Sequence, residues 1–145
     1  MIFDHINLVV RDMEAARAFY GGVLGLKETF DTMLEGDWID AVAGLENICA
    51  RCVFLEFPGG GRLELLEYRA PTNDSAPVYT PNAAGFRHIA FNVEDIDRWR
   101  QKLQNAGVSF VSPPVQVPFP VGGKTKRLCY FHDPEGNLLE LAEYK

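Results

Sequence analysis

Asp4-His5-Ile6-Asn7-Leu8-Val9-Val10-Arg11-Asp12-Met13 is answered 83 residues later by Arg87-His88-Ile89-Ala90-Phe91-Asn92-Val93-Glu94-Asp95-Ile96. His5, Ile6, Val10 and Asp12 recur in step as His88, Ile89, Val93 and Asp95. A second pair of segments lies 76 residues apart, where Gly60, Leu63, Glu64, Leu65, Glu67 and Tyr68 recur as Gly136, Leu139, Glu140, Leu141, Glu143 and Tyr144. The same shift places Arg51 over Arg127 and Pro58 over Pro134. Two copies of roughly 60 to 80 residues describe a duplicated half-domain, because a solenoid needs at least three short repeats to bury its faces. The chain reads as one pseudo-symmetric domain over 1–145: a first module at about 1–69, a linker at about 70–85 and a second module at about 86–145.

Each copy has the same local grammar. Residues 3–10 alternate, with Ile6, Leu8 and Val10 on one side and His5, Asn7 and Val9 on the other, which predicts a strand. Residues 88–93 divide the same way. Asp12 and Asp95 stand at N-cap positions before helices with apolar stripes of Met13, Ala16, Tyr20 and Val23 in one copy and Ile96, Trp99, Leu103 and Ala106 in the other. Gly25 and Gly107 release those helices into short apolar runs, 26–30 and 108–111, each expected to be a second strand. A hairpin closes each half, about Pro58-Gly59-Gly60-Gly61 in the first and His132-Asp133-Pro134-Glu135-Gly136-Asn137 in the second. Each half is therefore β-α-β-β-β, and the fold class is α+β. Residues 31–48, with a helical turn expected around 38–43, and residues 113–126 break the symmetry. Loops of that kind are where a specific pocket is built.

The composition sets outer limits. A chain of 145 residues with 47% apolar content can bury one core of its own. The formal charge of −6, with no basic run beyond Lys124-Thr125-Lys126-Arg127, lacks the electrostatic footprint of nucleic-acid binding. No stretch has the length and apolarity of a membrane helix and no basic leader precedes an apolar run, so a cytoplasmic protein with a small-molecule substrate is expected. The three cysteines make no disulfide framework. Cys49-Ala50-Arg51-Cys52 matches a C-x-x-C pattern, but residues three apart on a strand face opposite sides, and the match is read as chance.

Strand parity brings four polar residues to one side. His5 and His88 lie opposite Ile6, Leu8, Ile89 and Phe91, while Glu64 and Glu140 lie opposite Leu63, Leu65, Leu139 and Leu141, so all four project from the sheet face away from the helices. Two imidazoles and two carboxylates converging there would bind a divalent ion with open positions, unlike a closed structural zinc site. Taken singly, each residue has an ordinary explanation as a solvent-facing or backbone-satisfying group. Their recurrence as two matched pairs is not required by sheet packing, and His5, Glu64, His88 and Glu140 are the candidate metal ligands. Glu67 and Glu143 also recur but have the parity of the core leucines, and are expected to turn to water or an edge contact.

These segments, with Phe19-Tyr20, Gly25-Leu26 and the run Asp133-Pro134-Glu135-Gly136-Asn137-Leu138-Leu139-Glu140-Leu141, resemble the vicinal oxygen chelate superfamily over nearly the whole chain. The resemblance implies paired β-α-β-β-β modules forming curved half-barrel sheets with helices on the outer face. It gives His5, Glu64, His88 and Glu140 the four ligand positions, a set similar to that of glyoxalase I. Methylmalonyl-CoA epimerase is similar but usually has Gln where Glu64 stands. It further implies a divalent ion (nickel, cobalt, zinc, manganese or iron), a homodimer, and a metal-dependent lyase or isomerase. Such an enzyme acts on a small substrate with vicinal oxygens through an enediolate or enolate, with Glu140 or Glu64 moving the proton. Lys124, Lys126 or Arg127 would meet an anionic tail such as that of glutathione or coenzyme A, and Met33, Trp38, Phe57, Phe119 and Tyr130 are available to line a pocket.

Two other readings of the same fold compete. A binding protein that sequesters a drug or metabolite needs no metal set, and an extradiol-type dioxygenase uses two His and one carboxylate. The fourth ligand, Glu64, argues against both.

Overall fold

The computed structural model describes residues 2–73, 81–82 and 84–145. The chain divides into two compact units, residues 1–76 and 77–145, with the boundary inside the expected linker. Of that linker, residues 74–80 and 83 lie outside the described residues.

The first unit begins with β1 (His5–Val9), in which Ile6 and Leu8 are half-buried while His5, Asn7 and Val9 are exposed. Asp12 starts α1 (Met13–Arg17) by accepting the Ala15 N–H on Oδ1 at 2.9 Å, satisfying one of the donors a helix start leaves open. The helix widens into a π-helical turn, Ala18–Val23, and the chain leaves it at Gly25, whose φ of +83° suits a residue without a Cβ. β2 (Lys27–Glu35), α2 (Asp37–Ala43), β3 (Cys49–Glu56) and β4 (Arg62–Ala70) follow. The sheet order is β1-β4-β3-β2, with β1 parallel to β4 and the other pairs antiparallel. Met13, Ala16, Phe19 and Tyr20 pack with Val53, Leu55, Leu63 and Leu65 as the buried core on the α1 side. Full burial of each leucine contributes about 2 kcal/mol.

The second unit repeats this plan. β5 (His88–Asn92) leads to Asp95, which accepts the Arg98 N–H at 2.9 Å and starts α3 (Ile96–Asn105). β6 (Val115–Gln116), β7 (Lys126–His132) and β8 (Leu138–Tyr144) complete a sheet of order β5-β8-β7-β6, again with its first pair parallel. Ile96, Leu103, Phe131, Leu139 and Leu141 form its core. The β7–β8 turn is built on Asp133, whose Oδ1 accepts from the backbone of Glu135 and Asn137, while Asn137 Nδ2 donates to Oδ2 at 2.9 Å.

Several expectations need correction. The second strand of the second unit is Val115–Gln116, not residues 108–111, which contribute only an isolated bridge from Phe110 to Phe131. Pro113 and Pro114, lacking N–H groups, interrupt the path between the two. In the first unit the strand runs on to Glu35, so part of the symmetry-breaking region is sheet. Ala106 is exposed and is no part of the buried stripe. Glu67 and Glu143 do not turn to water: each reaches the start of its unit's helix, accepting from Met13 N–H at 2.9 Å and Ile96 N–H at 3.2 Å. Not every helix lies with α1 and α3. Ile39 of α2 clusters with Ile48, Ala50, Leu34 and Tyr68, and the register puts Leu34, Ala50 and Tyr68 on the opposite face of the sheet.

Candidate metal centre

The parallel pairing of β1 with β4 sets Asn7 directly opposite Glu64, so His5, two residues earlier on the same face, reaches the same carboxylate. His5 Nε2 stands 3.4 Å from Glu64 Oε2. In the second unit Ala90 lies opposite Glu140, and His88 Nε2 stands 3.4 Å from Glu140 Oε2. Duplication of the register reproduces the separation. Two ligands about 2.1 Å from one ion stand about 3.0 Å apart at a right angle and about 3.4 Å apart at a tetrahedral angle. Each pair is therefore spaced as two ligands of one ion. The structure brings His5 to Glu64 and His88 to Glu140; among the described residues no group of three or more His, Cys, Asp or Glu side chains is arranged to hold a metal ion.

The surroundings fix each pair differently. Asp4 Oδ2 lies 2.7 Å from His5 Nδ1 and Asp4 is also paired with Arg62 at 2.7 Å, which orients the ring with Nε2 toward Glu64. Those contacts, the His5 hydrogen bond first and Arg62 next, hold the Asp4 carboxyl below its usual range. Asn7 Nδ2 donates to Glu64 Oε2 at 3.1 Å, and the Cys52 thiol lies 3.5 Å from Oε1. Burial, then the Glu64 charge, pushes the Cys52 thiol up to about 12, so it stays protonated and serves as a donor. Glu140, at 4% exposure, is instead held by Lys126 Nζ at 2.8 Å on Oε1. That bond is the main cause raising the Lys126 ammonium above its ordinary value. Phe54 meets His5 edge-on with ring centroids 5.7 Å apart, and Tyr130 lies 5.2 Å from His88.

Among the other candidates, Tyr130 is on the ligand face, directly across from Glu140. Met33 pairs with Arg51, which contacts Glu14 of α1, so Met33 is on the helix side and cannot line a pocket with the ligands. Arg127 is likewise on the helix side, bonded to Asp97 at 2.7 Å, and so does not stand with the ligands to meet an anionic tail. Lys124, Trp38 and Phe119 are exposed, and Phe57 is half-buried beyond β3. The supporting roles of Asp4, Asn7 and Cys52 go beyond the sequence reading. Parity alone flags Asn7, two residues from His5.

A sequence model of the Glyoxalase/Bleomycin resistance protein/Dioxygenase superfamily matches residues 2–141. The chain belongs to that superfamily. Within it, a glyoxalase family protein from Bacillus cereus shares 31% identity and a TM-score of 0.87, over 98% of this chain and 93% of that one. Its likeness establishes the paired-module α+β fold with open, curved sheets. The Bacillus subtilis protein YwkD is 30% identical over 96% of this chain and 94% of its own length. A lactoylglutathione lyase from Pseudomonas aeruginosa is more distant, 25% identical over 98% of this chain and 82% of its own. Among the described residues, no helix is long and apolar enough to cross a membrane.

Proposed function

We propose that this superfamily member is a metal-dependent lyase or isomerase of a small substrate with vicinal oxygens, glyoxalase- or epimerase-like in chemistry. The observation that carries the reading is the duplicated His–Glu pair at 3.4 Å in both units. In this reading the two units act as one domain, and His5, Glu64, His88 and Glu140 form one ligand set, within a chain or across a homodimer. Nickel, cobalt, zinc, manganese and iron all accept imidazole nitrogen with carboxylate oxygen. A bound divalent ion supplies Lewis acidity to two neighbouring oxygens of the substrate. The protein's own part is proton movement: Glu140 or Glu64 takes the proton from the carbon beside the substrate carbonyl and returns it. Phe54 and Tyr130 lie against the imidazoles of His5 and His88.

The test is metal content by mass spectrometry on protein purified without chelator or affinity tag, beside Glu64→Ala. About one divalent ion per chain, lost in the variant, supports the reading and directs substrate screening to 2-oxoaldehyde hemithioacetals and acyl-CoA epimers. Protein that is metal-free and refuses added nickel, cobalt, manganese and zinc overturns it in favour of a small-molecule binding protein.

A further inference from the structure

Duplication leaves the two His–Glu pairs alike in spacing but unlike in charge. Lys126 occupies the position that Ala50 occupies in the first unit, 76 residues earlier. Ala50 is 1% exposed and packs against Ile39 and Ile48, so the sheet beside Glu64 is apolar there. The same place beside Glu140 carries an ammonium. Its side chain is 16% exposed, well below a surface lysine, so its field is only partly screened. Held there by its hydrogen bond to Glu140, that ammonium adds a positive charge that Ala50 does not supply at the matching place in the first unit.

The charge balance of the proposed site points the same way. In the proposed four-ligand site two glutamates would cancel a divalent ion, and Lys126 would leave one positive charge. An ammonium has three N–H donors, and Glu140 accepts one of them at 2.8 Å. Another can serve a substrate anion. A neutral substrate leaves the excess charge uncompensated, whereas an anionic group among the oxygens cancels it with a charge-assisted hydrogen bond.

We infer that Lys126 is an anion-recognition residue, and that this site selects substrates in which a carboxylate supplies one of the vicinal oxygens, such as 2-hydroxy or 2-oxo acids. The inference rests on the metal-site reading above. Its test is calorimetric titration of nickel-loaded protein with glycolate and with its uncharged analogue hydroxyacetone, for the wild type, Lys126→Met and Lys126→Arg. The wild type prefers glycolate; Lys126→Met weakens glycolate about tenfold more than it weakens hydroxyacetone, the scale of one charge-assisted hydrogen bond. Lys126→Arg regains most of the preference, which a purely structural role would not produce. A nickel-loaded wild type without preference for glycolate, or an equal loss for both probes in Lys126→Met, overturns the inference and leaves the metal site standing. A wild type that takes up no nickel overturns both.

Discussion

Asn7 on β1 and Glu64 on β4 face each other across a parallel pair, and the Asn7 amide donates to the same carboxylate oxygen that stands 3.4 Å from His5. The amide thus aims a ligand oxygen without adding charge. Supports of this kind typically govern metal affinity by ten- to a hundredfold. Asn7→Ala, which copies the Ala90 of the second unit, should lower divalent-ion affinity about tenfold with little change in thermal stability of the metal-free protein. Competition with a fluorescent chelator reads it; unchanged affinity would remove Asn7 from the ligand support.

Glu143 joins helix and sheet in the second unit. At 3% exposure it accepts from Ile96 N–H and lies 3.1 Å from Lys145 and 3.7 Å from Arg127. Removing it leaves a buried N–H without its acceptor, a loss of about 1–3 kcal/mol. Glu143→Ala should therefore lower unfolding stability by that amount, read from the shift of the urea midpoint. Glu143→Gln, which keeps an acceptor oxygen, should lose less, and equal losses would show that the helix-start bond contributes little.

How far the sequence revealed this arrangement depends on the physics involved. The strands of His5 and His88, the Asp12 and Asp95 caps and the helix exits at Gly25 and Gly107 were legible because each is set by residues within one turn or one strand. Parity also put His5 on one face with Glu64 and His88 on one face with Glu140. The destinations of Glu67 and Glu143 were not legible: their partners lie 54 and 47 residues away, and only the packing of helix on sheet brings them close. Lys126 beside Glu140 depends on the hairpin register, which counting back from the Asp133–Asn137 turn would have supplied. Residues 108–111 have the apolar content of a strand, yet Pro113 and Pro114 interrupt the segment and the pairing strand forms beyond them at Val115–Gln116.

The helix side of each sheet carries the same ion pair. Arg51 meets Glu14 at 2.6 Å and Asp31 at 2.7 Å, and Arg127 meets Asp97 at 2.7 Å, with Asp97 83 residues beyond Glu14. Hydrogen bonds to these guanidiniums hold all three carboxyls below their ordinary values of 3.8 for Asp and 4.5 for Glu. A depressed folded-state value means the stabilisation is complete above the ordinary value and fades as pH falls through the lower one. Stability should accordingly decline below about pH 4.5, and Arg51→Met should flatten that decline, followed by circular dichroism in urea at stepped pH. Glu14 and Asp97 are largely exposed, so added salt should mute the effect. An unchanged acid slope in Arg51→Met would count against the pairs.

Cys49 and Cys52 sit on one strand yet point to different partners: Glu35 at 3.2 Å and Glu64 at 3.5 Å. Both are free, and Cys129 is buried with its thiol pushed up to about 11 by burial. Native protein at pH 8 should therefore alkylate first at Cys49, the half-buried thiol, and take up three equivalents of iodoacetamide only in denaturant. Rapid modification of Cys52 in the folded state, read by peptide mass mapping, would contradict its place beneath Glu64.

His5 and His88 offer the sharpest division between one shared metal centre and two separate ones. If the four side chains form one ligand set, His5→Ala and His88→Ala each remove one of four ligands from the same ion. Nickel should then bind the wild type at about one ion per chain, and either variant should lose most of that affinity. If each His–Glu pair works alone, the wild type should bind two weakly held ions and each variant should keep one. Because an ion held only by the folded state raises its stability in proportion to the logarithm of its concentration over Kd, thermal shift against nickel concentration reads both cases. The shared site is expected: a matched loss of nickel stabilisation in the two variants. Independent losses, each leaving half the stoichiometry, would separate the two pairs and with them the lyase or isomerase reading.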